Sequence, residues 1–195
     1  VQPGNTVIIG GVASDPTSYI AKVDVSVNGG AYSVATGTGV WAFPVNIPNS
    51  PSGVVPINVR AADAVNNTNS ANFNLAIDGV APTLSVNLAP AAVRQVRRNA
   101  RGAWSLSLNG TLADNLAGIE SLTVQIGDSS NAVFTSTAIS NGNWSIDYAF
   151  DDPAFNAEAR PTGAYSLTVT ARDNALPYGN VTTQVIPFII DMTPP

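Results

Sequence analysis

The sequence predicts an all-β protein, two sandwiches in tandem over residues 1–82 and 83–195. Three observations carry the prediction. The chain repeats itself over nearly its full length, its apolar residues recur at every second position, and its strand-like runs are separated by Gly, Pro, Asn and Asp. Composition agrees: 45% of residues are apolar and only 11% charged, too apolar for a disordered chain and too uncharged for a coiled coil. At 195 residues there is chain enough for two small cores.

The repeat begins with Gly11-Val12-Ala13-Ser14-Asp15 and Ile20, which match Gly110-Thr111-Leu112-Ala113-Asp114 and Ile119 at an offset of 99. The same shift pairs Val23, Val25 and Val27 with Leu122, Val124 and Ile126. Trp41 then pairs with Trp144, Pro51-Ser52-Gly53 with Pro161-Thr162-Gly163, and Asp63 with Asp173. Ile77-Asp78, a few turn residues and Pro82 return as Ile190-Asp191 and Pro194-Pro195. The offset grows from 99 to 103 to 110 to 113, always between strands, as loop insertions require. Only Val1 to Gly4 precede what should be the second strand of module one, so that module is expected to lack its opening strand here; with that strand upstream in a longer parent, the edge is exposed.

Within each repeat, runs such as Val23, Val25, Val27 and Phe73, Leu75, Ile77 alternate with small or polar residues, the pattern of half-buried antiparallel strands. Asn28-Gly29-Gly30 is a hairpin turn of the kind that needs positive φ. Pro56 interrupts what should be an interior strand and calls for a bulge or an early edge. In module two, Arg94, Arg97, Arg98 and Arg101 fall at helical spacing between Pro90 and Gly102, which predicts a short inserted helix. Its arginines are expected to pair with the acids of the insertion from Asp151 to Arg160.

These motifs together (G-x-A-x-D, one Trp on a mid-module strand, the run ending at Asp63 or Asp173, the closing I-D-x-x-x-P) resemble the bacterial Ig-like domains found in tandem on adhesins. The resemblance covers nearly the whole chain twice. It implies an Ig-like sandwich in each module and a place on a bacterial surface or outside the cell. The family's run usually continues D-x-x-G-N. Gly179-Asn180 fit it, whereas Asn66-Asn67 put Asn in the glycine's place and predict a left-handed backbone there. Tyr165 takes the place of an Ig tyrosine corner, but its twin is Val55.

Chemistry is sparse. With no Cys and no His, thiol nucleophiles, Cys/His zinc sites and histidine triads are excluded. The net charge of −5 argues against non-specific nucleic-acid binding, and no apolar run is long enough for a membrane span. In an Ig-like topology Asp114, Asp173 and Asn174 share the pole that receives Asp78. Converging carboxylates and an amide oxygen there form a candidate Ca²⁺ site. The structural alternative, and the stronger one, is that each aspartate caps its own turn. Trp41 and Trp144, repeated inside apolar runs, read as core. Trp104 and Tyr178 are not repeated and are the candidate ligand-stacking pair. Three functions compete: a spacer in an adhesin that works with neighbouring repeats of the same chain, a glycan- or ligand-binding accessory module, and an enzyme. The last is disfavoured for want of a nucleophile–base pair or a carboxylate cleft.

Overall fold

The computed structural model describes residues 1–90, 92–98, 102, 104–127, 132–135, 142–149 and 162–191. The insertion from Asp151 to Arg160, Arg101 and the closing residues 192–195 lie outside the described residues. The chain divides into two compact units, Val1–Val80 with Ala175–Tyr178, and Ala81–Asn174 with Gly179–Pro195. Each has its own buried cluster.

Unit 1 holds β1 (Thr6–Val12), β2 (Ile20–Val27), β3 (Ser33–Val34), β4 (Val40–Asn46), β5 (Ser52–Asp63) and β6 (Thr68–Asp78). Two antiparallel sheets form, β1-β4 and β3-β2-β5-β6. Alternation puts Val23, Val25, Val55 and Ile57 of the larger sheet against Ile9, Trp41 and Val45 of the smaller, all buried. The hairpin turn after β2 has Asn28 at φ 53° and Gly29 at φ 72°, the two positive values such a turn requires. Pro56 needs no bulge. The β2–β5 ladder ends at Val27↔Ile57, so the proline lies just past it, while pairing with β6 runs on without a shift. The early edge, not the bulge, is how the strand accommodates it.

Unit 2 holds β7 (Thr83–Val86), β8 (Ala92–Arg94), β9 (Arg97–Arg98), β10 (Trp104–Ala113), β11 (Ile119–Ile126), β12 (Ala132–Thr135), β13 (Asn143–Ala149), β14 (Gly163–Asp173) and β15 (Val181–Ile190). One sheet runs β13-β10-β7 with β9 also on β10, the other β12-β11-β14-β15-β8. Along β10 burial alternates at each residue, with Leu106, Leu108 and Leu112 inward. Gly53 and Gly163 stand at φ 146° and 150°, and a β-bulge recurs at Ile20/Lys22 and Ile119/Ser121. The repeat therefore extends to backbone irregularities.

The arginine-rich stretch expected to be helical is corrected by the structure. Ala92–Arg94 pair in parallel with Phe188–Ile190, and Arg97–Arg98 pair with Trp104–Ser105. A lone two-turn helix is marginal, whereas an exposed sheet edge offers main-chain partners at once. Val96 is buried between the two short strands, in the unit 2 core.

Unit 1 differs from unit 2 at one edge. In unit 2, β10 is paired on both sides, by β13 and by β7. Its twin β1 pairs, among the described residues, with β4 alone. At the other sheet the twins agree: Asp78 N donates to Val1 O at 2.8 Å, as Asp191 N donates to Arg94 O at 3.0 Å.

Candidate functional site

The aspartates that end strands sit where the sequence places them, each folding its own turn. Asp15 Oδ1 accepts from Thr17 N at 2.8 Å and Ser18 N at 2.6 Å. Asp63 Oδ1 accepts from Val65 N and Asn67 N, and its Oδ2 from Asn67 Nδ2 and Ser18 Oγ. Asp173 accepts from Asn180 N at 2.7 Å and Asn180 Nδ2 at 2.8 Å, reproducing the Asp63–Asn67 arrangement in the second unit. Asn66, at φ 67°, stands in for Gly179, at φ 73°, as the D-x-x-G-N pattern predicts.

These donors set the electrostatics. Backbone N–H groups of Ser18 and Thr17 hold the Asp15 carboxyl below its ordinary 3.8. For Asp63, burial pushes the carboxyl up, but the bonds from Asn67, Val65 and Ser18 outweigh it and the net shift is downward. Asp24 behaves likewise. Burial raises it, while Arg60 and Lys22, at 2.9 and 3.1 Å, lower it further. Arg60 also lies over the Tyr32 ring, 4.4 Å from its centroid.

Of the four residues nominated for calcium, Asp78 belongs to unit 1, where its Oδ1 accepts from Val80 N at 3.2 Å. Asp114, Asp173 and Asn174 belong to unit 2. There a carboxylate oxygen of Asp114 and one of Asp173 lie within 4.8 Å of each other. Asn174 is held beside the Asp114 turn by its N–H to Gly118 O at 3.0 Å and its amide to Ala117 O at 3.4 Å. Asp114 Oδ2 accepts from Leu116 N and Gly118 N, but its Oδ1 is buried and has no hydrogen-bond partner among the described residues. A buried, unpaired carboxylate oxygen is costly to an apo protein and suits a hard cation that binds oxygen. Nothing in the sequence marks this oxygen, because its burial depends on how the two loops meet.

Trp104 is 9% exposed in the unit 2 core, so its indole packs rather than offers a stacking face. Tyr178 is 70% exposed, in the segment grouped with unit 1, where its N–H donates to Gln2 Oε1 at 3.2 Å. Trp41 and Trp144 are both core, as their repetition predicts.

Comparison with solved structures bears on this architecture. Over 97% of this chain, and 87% of the other, the fold matches the fibronectin(III)-like modules of Clostridium thermocellum CbhA, with a TM-score of 0.53 and 11% identity. The fold is that of tandem fibronectin(III)-like modules. Weaker likenesses include a 1.5-MDa bacterial ice-binding adhesin, at TM-score 0.43 and 16% identity, of whose chain 59% is covered. Another is a Ca²⁺-stabilized adhesin of an Antarctic bacterium, at TM-score 0.40 and 22% identity, of whose chain 44% is covered. No family model matches the sequence, and no curated protein does.

Proposed function

We propose that the chain is a pair of non-catalytic spacer modules from an extracellular bacterial surface protein of the adhesin type. One observation carries the reading: what the two units share is architecture. The duplicated residues form turns (Asp63 and Asp173), positive-φ strand starts (Gly53 and Gly163) and core (Trp41 and Trp144). A repeat that preserves only its fold suits reach and spacing, and its neighbours in the chain are its natural partners. Calcium is the ligand this reading adds. Asp114, Asp173 and Asn174 would hold it on unit 2, with the unpaired Asp114 Oδ1 as the leading donor. The second reading, a glycan-binding accessory module, is favoured only by the exposed ring of Tyr178.

One thermal-melt screen of the whole chain separates them, because any ligand that binds only the folded form raises Tm. The spacer reading expects 5 mM Ca²⁺ to raise the melting of unit 2 by about 5 °C or more relative to a chelator, roughly what 1 kcal/mol does to a domain of this size. Asp114→Asn should abolish that rise, and a panel of glycans should leave Tm unchanged. A glycan-specific rise that Tyr178→Ala removes would favour the second reading. No calcium effect would remove the cation from the first.

A further inference from the structure

We propose that Asn28 is a site of spontaneous covalent modification. There the hairpin turn of unit 1 loses ammonia and closes a five-membered imide, which water reopens to aspartate or isoaspartate. The isoaspartate product releases β3 from the edge of β2.

The step needs water as its only co-reactant. The main-chain nitrogen that follows the asparagine gives up its proton and attacks the side-chain carbonyl carbon, Cγ. The N–Cγ bond forms, the Cγ–Nδ2 bond breaks, and ammonia leaves with that proton. Water then cleaves one of the two bonds from the imide nitrogen to a carbonyl carbon. Cleavage at Cγ gives aspartate. Cleavage at the main-chain carbonyl gives isoaspartate, whose main chain runs through Cβ and is one carbon longer. Glycine is the most permissive next residue, because no side chain shields its nitrogen.

The chain has three Asn-Gly pairs, Asn28-Gly29, Asn109-Gly110 and Asn141-Gly142. Asn141 lies outside the described residues. The surroundings of the other two differ. Asn28 is exposed, and neither its side chain nor the Gly29 N–H has a hydrogen-bond partner among the described residues. A Cβ on Gly29 would meet nothing within 4 Å. The flanks of the turn, by contrast, are held. Asn28 N donates to Pro56 O at 2.8 Å, Gly30 N to Val27 O at 3.0 Å and Ser26 Oγ to Gly30 O at 2.6 Å. The two groups that must react are the ones the turn leaves uncommitted.

Asn109 is closed to the same reaction. It lies inside β10, which β13 and β7 pair on either side, and its Oδ1 accepts from Asn87 Nδ2 at 2.5 Å. A Cβ on Gly110 would collide with the Ser85 carbonyl and the Trp144 ring, so nothing can swing onto that backbone. Asp78-Gly79 reaches the same imide by losing water, and it too is closed. Asp78 is 1% exposed, and Gly79 N donates to Pro51 O at 2.9 Å.

The product matters because turn length sets hairpin register. Asn28 and Gly29 are the two central residues, at φ 53° and 72°. The strand that follows is short: Ser33 and Val34 pair with Val25 and Asp24, and Ala35 N donates to Val23 O at 2.8 Å. A turn one carbon longer no longer delivers β3 in this register. Aspartate, with the original main chain, does.

The test incubates the full chain in mildly alkaline buffer, folded and in urea, and reads each pair by peptide mass spectrometry and by enzymatic methylation of isoaspartate. In the folded chain Asn28 should convert at least about tenfold faster than Asn109, and in urea the two rates should agree within about twofold. In the isoaspartate form the Ala35 amide should exchange at least about tenfold faster, with Val124 unchanged, whereas freshly prepared Asn28→Asp should keep Ala35 protected. Equal rates in the folded chain, or a difference that persists in urea, would overturn the proposal. So would full protection of Ala35 in the isoaspartate form, or its loss in Asn28→Asp.

Discussion

Asn66 and Gly179 meet one backbone requirement with different side chains, and the pair shows why some residues were legible in the sequence and others were not. A positive φ limits the choice to Gly, Asn or Asp, so the substitution reveals the conformation. Asp24 gave no such signal. Strict alternation points it outward, between Val23 and Val25, yet it is 3% exposed. Arg60 and Lys22 pair with its carboxylate, and which side chains fold over a sheet face is not described by periodicity. Asp15, Asp24 and Asp63 all belong to unit 1, and all three are held below the ordinary 3.8. A depressed folded-state value means the stabilisation is complete above the unfolded range near 4 and is lost as pH falls through the lower folded values. Unit 1 should therefore hold a constant urea midpoint from about pH 7 to 5 and lose stability below about pH 4. The Val23 amide signal reports it, and Asp24→Asn should flatten the decline. A midpoint that rises on acidification would contradict the assignment.

Elements were read most securely where two copies could be compared. The alternating apolar residues of β2 and β11, and the Trp strands β4 and β13, follow from period and repeat together. The arginine-rich stretch had no twin, and four arginines at helical spacing are equally compatible with two short edge strands. Its outcome was decided by the open edge of β15, which local sequence does not encode. At the same scale, the fit of β7 onto β10 depends on the bare backbone of Gly110. Gly110→Ala should destabilise unit 2 by about 2–4 kcal/mol, because the covering strand or Trp144 must move. Gly11→Ala meets only the edge of the Trp41 ring, at 3.0 Å, and should cost about 1 kcal/mol or less. Denaturant unfolding of the two variants, read from signals of each unit, checks the ranking. Equal costs would mean that β7 does not press on Gly110.

At the scale of the whole molecule, duplication of one sandwich was visible in the sequence, and two separate clusters of buried residues embody it. The candidate site was legible only as a set of residue types. Asp114, Asp173 and Asn174 could be named, but the burial of Asp114 Oδ1 without a hydrogen-bond partner among the described residues depends on how the loops fold together. The two sandwiches share one design, in which β10 of the second is paired on both sides and its twin β1, among the described residues, is paired with β4 alone. Amide hydrogen exchange on the full chain measures this residue by residue. Strong protection is expected at the core twins Val25 and Val124 and at Thr111, with fast exchange at Val12, the twin of Thr111. Protection of Val12 equal to that of Thr111, or loss of protection at either core position, would contradict it.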